Sequence, residues 1–368
     1  MFSLHLDSAK CVRAVTKFST CTNCQDVCPT NAVEFSSENN LATFLPNDCV
    51  NCGGCVGACP SEALSLDYYK NTDFFFEFVQ EEEKLVSCKK NVPCLAVLNV
   101  EHIISMALLK EDIVFDLGHC QGCEIRDPLY ETILSNVDEA NTILAAMESG
   151  REITLKEVAY EPEGKTPQNR RDFLEQLTLK NAVATKAAFD KEVEIDPEEF
   201  LNFGLDTEAV AKIKNKQFPD KRKILFTALK RANKPEYFHT LDNHDLSFVS
   251  MKDMDESECT ACQMCYRICP TGALTSDYKN SKIDFDPFMC IKCHICHDVC
   301  EPDAITIADT FSMKNFFSPE IKPLIHFNVG RCHECDAYFH YFGGDVVCTR
   351  CKIEEEEAME LWGLNKDE

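Results

Sequence analysis

Residues 259–300 contain Cys259-Thr-Ala-Cys262-Gln-Met-Cys265-Tyr-Arg-Ile-Cys269-Pro270 and, further on, Cys290-Ile-Lys-Cys293-His-Ile-Cys296-His-Asp-Val-Cys300. The spacing is C-x2-C-x2-C-x3-C, twice. Three thiolates this close can hold three corners of a cubane iron–sulfur cluster, with a more distant thiolate closing the fourth. The competing chemistry is a pair of zinc sites, which take four-ligand knuckles and not runs of three plus one.

The same spacing occurs near the start of the chain as Cys49-Val-Asn-Cys52-Gly-Gly-Cys55-Val-Gly-Ala-Cys59-Pro60. Upstream of it, Cys21-Thr-Asn-Cys24-Gln-Asp-Val-Cys28-Pro29 has only the last two gaps, so one cysteine is missing from its usual place. Cys11 is the candidate replacement, with Val12 to Thr20 as an insertion looping out after it. A three-iron cluster, with Cys11 as a buried apolar thiol, is the other option. After each run the chain repeats itself, as CPTNAV, CPSEAL, CPTGAL and CEPDAI. Proline at or beside the turn fixes φ, and the Ala-aliphatic pair starts the next turn or short strand. Residues 41–45 and 283–285 are expected as the strands that enter the second run of each half. Four copies of one unit in two pairs indicate a duplicated module.

These halves resemble two-cluster bacterial ferredoxins. The resemblance rests on the cysteine runs and implies a ferredoxin-like module with two [4Fe-4S] clusters at residues 1–77 and another at 246–322. In that family the fourth cysteine of each run ligates the other cluster. It therefore implies four ligand sets: Cys11, Cys21, Cys24 and Cys59; Cys49, Cys52, Cys55 and Cys28; Cys259, Cys262, Cys265 and Cys300; and Cys290, Cys293, Cys296 and Cys269. Two departures stand: the long gap after Cys11, and Glu301, which displaces Pro302 by one after Cys300.

Between the modules, over residues 78–165, the periodicity changes. Lys84 to Ser87 reads as a strand ending at Cys88, and Cys94 opens an apolar helix from Leu95 to Lys110, with Pro93 at its start. Ile113 to Leu117 is a buried strand running into Gly118-His119-Cys120-Gln-Gly-Cys123. A helix from about Pro128 to Glu148 and a strand from Ile153 to Tyr160 follow. The order β-α-β-α-β predicts a parallel sheet with right-handed crossovers. Cys88, Cys94, Cys120 and Cys123 then converge at the carboxyl ends of neighbouring strands, the ligand crevice of such sheets. Cys94 at a helix N-terminus is favoured as thiolate. C-x5-C…C-x2-C suits an iron–sulfur cluster, [4Fe-4S] or [2Fe-2S], a zinc ion, or a redox dithiol at Cys120 and Cys123. The company of cubane runs makes the cluster the expectation. The cysteine order and strand–helix rhythm resemble the small iron–sulfur (delta) subunit of methyl-viologen-reducing hydrogenases, which implies electron transfer toward a heterodisulfide reductase. His119 reads as a loop histidine.

Residues 166–245 read as a helical connector, after a hinge at Glu161 to Pro167. Asn169-Arg170-Arg171-Asp-Phe173-Leu174 resembles a twin-arginine export signal. It is internal and precedes a charged amphipathic stretch, Glu175 to Glu192, so it reads as a helix start. Further helices are expected at 197–203, 206–215 and 220–232. The basic patch from Lys212 to Lys234 reads as a solvated helix face, with docking on the chain's own acidic modules or on a partner as the alternative. Leu246 to Met251 alternates as a strand. In residues 323–368, Cys332-His-Glu-Cys335 and Cys348-Thr-Arg-Cys351 have the spacing of a zinc ribbon. Its strands are expected at Leu324 to Val329 and Ala337 to Phe342, around a turn at Gly343-Gly344. Rubredoxin-type iron or a further cubane would use the same residues. Structural zinc is the expectation, because so small a unit needs a staple. The tail from Glu354 reads as an acidic helix, with Leu361 and Trp362 packing on the ribbon and an exposed pair that anchors a partner as the alternative.

The chain has 368 residues and 24 cysteines, which fall in groups of eight, four, eight and four. A secreted disulfide framework is the competing source of so many. Such chains are short and carry a signal peptide, and Met1 to Asp7 has neither a basic n-region nor an apolar h-region. No run approaches a membrane span. The expectation is a soluble, cytoplasmic protein. A formal charge of −25 repels nucleic-acid phosphates and favours a basic protein partner. No glycine-rich phosphate loop follows a strand, so nicotinamide and flavin binding are unsupported. The fold class is α+β multidomain. The implied function is a multi-cluster electron-transfer subunit, a polyferredoxin wire. Its partners would be the larger catalytic subunits of a hydrogenase, formate dehydrogenase or heterodisulfide-reductase-like complex, or a diffusible electron carrier. Two other classes stay open: a disulfide or thiol reductase at the middle site, and a docking or assembly protein with structural clusters.

Overall fold

A computed structural model of the chain describes residues 3–158 and 218–362. The motif at Arg170 and Arg171, the end of the expected strand at Tyr160 and the helices expected at 197–203 and 206–215 lie outside them. No helix among the described residues is long and apolar enough to cross a membrane.

Both cysteine-rich halves are built the same way. In the first, strand Leu4–Leu6 pairs antiparallel with Leu64–Leu66, and Val33–Phe35 forms a hairpin with Ala42–Phe44. In the second, Lys252–Met254 pairs with Ile305–Ile307, and Leu274–Thr275 forms a hairpin with Lys282–Phe285. Outer strands pair with outer and inner with inner, so each half is a closed unit holding its cysteines between the strands. The second half is extended at both ends. Thr240–Asp242 pairs with Thr310–Ser312, and Lys322–His326 joins the edge of Lys282–Phe285. The ribbon strand expected from Leu324 to Val329 therefore belongs largely to the ferredoxin-like sheet. Val329–Arg331 pairs with Tyr338–His340 as a separate hairpin.

The middle region carries a three-stranded parallel sheet, β1 (Leu85–Val86), β2 (Val114–Asp116) and β3 (Thr154–Lys156), in that order. Helix α1 (Asn71–Gln80) precedes it, and α2 (Val100–Leu109) and α3 (Leu129–Ala146) lie between its strands. The helix expected from Leu95 is broken. Leu95–Val97 is a 3-10 turn, and α2 starts only after Asn99, whose side chain accepts the His102 N–H at 3.0 Å as an N-cap. The carbonyls of Val97 and Leu98 go to the side-chain amides of Asn71 and Asn136. Cys94 therefore stands at a short 3-10 turn and not at an α-helix N-terminus.

Helix α4 (Asp220–Arg231) lies on α2. Its face of Ile224, Leu225, Ala228 and Leu229 enters a core that runs continuously from Val86, Ile104 and Phe115 to Phe248, Phe288 and Phe316 of the second half. Burying a side chain such as Ile224, Leu225 or Leu229 contributes roughly 1.5–3 kcal/mol. Lys221 and Arg222 on the same helix are buried as well. The basic patch is thus docked on the chain's own modules at these two residues, while Lys230 and Arg231 stay exposed. Leu246 to Met251 forms no strand. Its apolar side chains fill the core, and its carbonyls are taken by Lys292 (Leu246) and Arg222 (Phe248).

The first half touches the middle region at a glycine-lined contact. A Cβ on Gly57 would stand 2.2 Å from the Ala96 carbonyl oxygen, and one on Gly54 would stand 2.5 Å from Leu129 Cδ2. Gly57 faces fixed backbone and Gly54 the end of a flexible side chain. Gly57→Ala should therefore cost about 1–3 kcal/mol by overpacking, and Gly54→Ala less, read as loss of denaturant midpoint. Equal losses would mean that the two surfaces do not approach as described.

Glu139 on α3 accepts the Ser247 N–H at 2.7 Å, across to the second half. Burial, ahead of the opposing bond from Ser247, pushes its carboxyl from 4.5 up to about 7. The sign follows from proton linkage: the native state holds this proton more tightly, so the associated stability is present at low pH and is lost as pH rises from about 4.5 through about 7. Glu139→Gln keeps the acceptor and removes the titration. The decline in thermal midpoint over that pH window should be shallower in the variant.

Candidate metal centres

Each ferredoxin-like run is a loop with its backbone turned inside out. In three runs the residues flanking the middle cysteine both have positive φ: Asn51 and Gly53 around Cys52, Ala261 and Gln263 around Cys262, and Lys292 and His294 around Cys293. A non-glycine residue there costs of order 1–3 kcal/mol and persists only where the surroundings over-determine it. Alternating left- and right-handed residues point successive N–H groups into one concavity, which suits an anion. The run with the insertion is different: Thr22 has φ −122°.

The repeats after the last cysteine of each run have one physical basis. Asn31, Glu62, Gly272 and Asp303 stand at the same place in the four copies, and all have positive φ. This turn brings the Ala32 N–H to Cys28 Sγ and the Ala63 N–H to Cys59 Sγ, both at 3.2 Å. Two residues after the cysteine, the hydroxyls of Thr30, Ser61 and Thr271 lie 3.8, 3.7 and 3.8 Å from the sulfurs of Cys28, Cys59 and Cys269. In the fourth copy Pro302 stands there and offers no hydroxyl. The departure at Glu301 therefore changes the polar surroundings of the Cys300 sulfur.

Within each half the cysteines of the two runs lie close enough to influence one another's ionisation. Burial pushes the Cys24 thiol up to about 12, followed by the like charges of Cys59, Cys21 and Cys11. Cys52 is raised by burial and by Cys28 and Cys49. In the second half burial, then Cys296, with further pushes from Cys262 and Cys259, takes Cys265 to about 12. Cys259 feels Cys262 and Cys300. Burial takes Cys296 to about 12, Lys252 opposing and Cys290 and Cys269 adding. Cys293 is raised by burial, Cys269, Cys290 and Cys296. Four thiols packed together away from water resist ionisation. A bound cationic core would reverse that, so the donor sets fit iron–sulfur clusters.

The insertion after Cys11 has a place in this layout. Arg13 donates to the carbonyls of Asn40 (2.8 Å) and Cys21 (2.7 Å) and lies 3.8 Å over the Phe35 ring, which fastens the loop to its own half. The rest of the loop faces the other half. The Thr20 N–H and hydroxyl donate to the Asp298 carboxylate at 3.0 and 2.8 Å. Val12 packs with Ile268, Ile295 and Val299, and Cys21 and Cys293 lie against that cluster. Sequence reasoning found the insertion but not this use of it, because nothing local in the chain identifies its distant partner.

At the middle site, Cys88, Cys120 and Cys123 influence one another, and Cys94 lies near Cys88 and Cys120. Burial pushes Cys94 up to about 12, and Cys52 of the first half, then Cys88 and Cys120, add to it. Burial takes Cys120 up to about 11. That is opposite to the depressed pKa of an activated dithiol. A residue missed in the sequence organises the site. Buried Asp116, at the end of β2, accepts the Ser87 hydroxyl (2.8 Å), the Gly118 N–H (2.8 Å) and the Val158 N–H (3.0 Å). It ties together the carboxyl ends of all three strands. His119 is exposed.

The C-terminal knuckles are tighter. The sulfurs of Cys332, Cys335, Cys348 and Cys351 all lie within 4.8 Å of one another, and Cys335 and Cys348 are 3.7 Å apart. Four thiolates bonded at about 2.3 Å to one tetrahedral ion stand about 3.8 Å apart. The Cys348 N–H donates to Cys332 Sγ at 3.3 Å, and it pulls Cys332 down to about 6. This set fits a single metal ion. Trp362 and Leu361, expected on the ribbon, are instead 77% and 84% exposed.

Paired, interleaved cysteine sets held between short strands define an iron–sulfur protein of the ferredoxin type. Residues 10–63, which include Cys11, match a family model described as a 4Fe-4S dicluster domain, and residues 258–305 match a second model with the same description. The chain therefore carries two 4Fe-4S dicluster domains of the ferredoxin type, which support an iron–sulfur electron-transfer role. The middle and C-terminal cysteines lie outside both matches. Comparison with curated proteins returns no match.

If Cys11 is a ligand, Cys11→Ser should lower the iron of anaerobically prepared protein by about 1, for a three-iron remnant, to about 4, for loss of the cluster. An unchanged iron count removes Cys11 from the set.

Proposed function

We propose that this protein is a multi-cluster relay that passes single electrons between redox partners of an anaerobic-type oxidoreductase complex. A hydrogenase, a formate dehydrogenase or a heterodisulfide-reductase-like system would supply the larger catalytic subunit. In this reading the four interleaved sets hold [4Fe-4S] clusters, and Cys88, Cys94, Cys120 and Cys123 hold a fifth iron–sulfur cluster. Cys332, Cys335, Cys348 and Cys351 hold zinc. Each cluster, when bound, takes up and gives back one electron.

The observation that carries the reading is adjacency. Cys94 of the middle site lies by Cys52. Cys55, in the set of Cys52, lies by Cys24 of the next set. Cys21, in the set of Cys24, packs across the Val12–Ile295 contact from Cys293. Cys296, in the set of Cys293, lies by Cys265 of the last set. These neighbours support a relay order that runs from the middle site, through the first half, to the far side of the second half. The half-buried Cys120 and Cys123 make the middle site one accessible end, and the exposed Cys262 marks the other.

Zinc is favoured at the knuckles because the four sulfurs are gathered as closely as one ion requires. Among the described residues no other group of three or more cysteine, histidine or acidic ligand atoms is gathered within 4.8 Å. The wider middle set suits a cluster better than a single ion.

Anaerobically purified, intact protein should contain about 20 iron and about 1 zinc per chain, take up about five electrons in a reductive titration, and co-purify from its native cells with a larger redox subunit. About 16 iron with about 2 zinc would remove the middle site from the relay. Full clusters with no redox partner and no reversible electron uptake would overturn the relay.

A further inference from the structure

Two consecutive buried cations on α4 stand behind the two cysteine sets that face each other across the junction of the halves. Lys221 is 4% exposed, and its Nζ donates to the carbonyl of Cys59 at 2.7 Å. Arg222 is fully buried. Its Nη1 donates to the carbonyl of Cys290 at 3.0 Å and to that of Phe288, and its Nη2 to that of Phe248 at 2.8 Å. Both cations share one carboxylate, Glu101 on α2, itself 1% exposed. Oε1 accepts Arg222 Nε, and Oε2 lies 3.7 Å from Lys221 Nζ. Glu62, in the turn after Cys59, accepts the N–H groups of Asp220 (2.5 Å) and Lys221 (3.1 Å).

The cations therefore lie between their carboxylates and the cysteine backbone, with their donors directed at the cysteines. Stability alone does not account for this. A buried ion triad is often no better than an apolar replacement of the same volume. Cys59 belongs to the set of Cys11, Cys21 and Cys24, and Cys290 to the set of Cys269, Cys293 and Cys296. These are the two sets that meet at Val12, Ile295, Cys21 and Cys293.

From this geometry, and resting on the relay reading above, we infer that Lys221 and Arg222, held by Glu101, are positioning residues that raise the reduction potentials of the two facing sets together. Lys221 acts mainly on the set of Cys59 and Arg222 mainly on that of Cys290. An electron added to either set is a negative charge placed near a desolvated cation, where Coulomb attraction is weakly screened. One set gains the electron that the other loses, and no proton or bond is exchanged.

The test is an anaerobic redox titration of the intact protein with dithionite as the electron source, followed by electron paramagnetic resonance, with iron counted in each sample. Lys221→Met should lower the potential of one signal and Arg222→Met that of another. Each shift should be about a tenfold change in the oxidised-to-reduced ratio at fixed applied potential, which for one electron is about 59 mV. Glu101→Gln, which leaves the cations and removes their counter-charge, should shift both upward. Lys221→Arg should return its signal to the wild-type potential. If Arg222→Met does not fold, Arg222→Lys and Glu101→Gln carry the test. Wild-type iron content with unshifted potentials, or Glu101→Gln and Lys221→Met shifting in the same direction, would overturn the inference. Wild-type protein without cubane signals would instead remove the relay reading beneath it, and the inference with it.

Discussion

The structure depends on three buried charges, Lys221, Glu101 and Arg222. Glu101 sits on the helix of the middle sheet, Lys221 binds the backbone of the first ferredoxin-type unit, and Arg222 binds that of the second. Three regions that are separate in sequence thus meet on two neighbouring residues of one helix. Breaking one partner out of such a buried group typically costs 3–5 kcal/mol, because the remaining charge has no solvent to turn to. That is a large fraction of the 5–15 kcal/mol by which a domain is usually stable. The apolar face of α4 supplies the burial that holds the charges in place, and the charges fix its register against three surfaces at once.

Around the cysteines the protein is arranged against its own interest as an apo chain. Loops carry Ala261, Gln263, Lys292 and His294 in the left-handed region, and thiols are packed where burial keeps them protonated. Both costs are offset when a cluster is bound, so folding and cluster insertion are coupled, as in other small metal-stapled units. The C-terminal knuckles gather four sulfurs within 4.8 Å of one another, a set that fits a single ion. A hairpin of three-residue strands has almost no core of its own, and its exposed Phe342 shows how little it buries.

Close packing at two places joins the cysteine-bearing regions. Gly54 and Gly57 let the first unit approach the turn at Ala96 and Val97, which sets Cys52 beside Cys94. The insertion after Cys11 bridges to the second unit through Thr20 and Val12. Removing side-chain volume makes the first contact, and adding chain length makes the second. Each replaces a solvent gap with protein.

The sequence by itself determined the chemistry. Cysteine spacing identified both dicluster domains and the knuckles, because a ligand loop needs its donors at fixed short separations whatever surrounds it. The fourfold Cys-to-Ala repeat was legible for the same reason, and its positive-φ residues explain it. Strand and helix order from Lys84 onward could also be read, apart from the break before Asn99, which side-chain amides from α1 and α3 impose; α1 itself was not anticipated. Only the tertiary structure decided the rest. The stretch from Leu246 to Met251 alternates like a strand, yet the carbonyls of Leu246 and Phe248 are taken by Lys292 and Arg222, and only Met251 at its end reaches a strand neighbour, accepting the Ala308 N–H. Lys221 and Arg222 look like part of a solvated basic face until Glu101, about 120 positions away, is placed beside them. Asp116 and Thr20 are ordinary polar residues in the chain and become organising ones only through Val158 and Asp298. Local geometry is written in neighbouring residues; long-range charge pairing and close approach are settled only when the packed chain excludes water from between its parts.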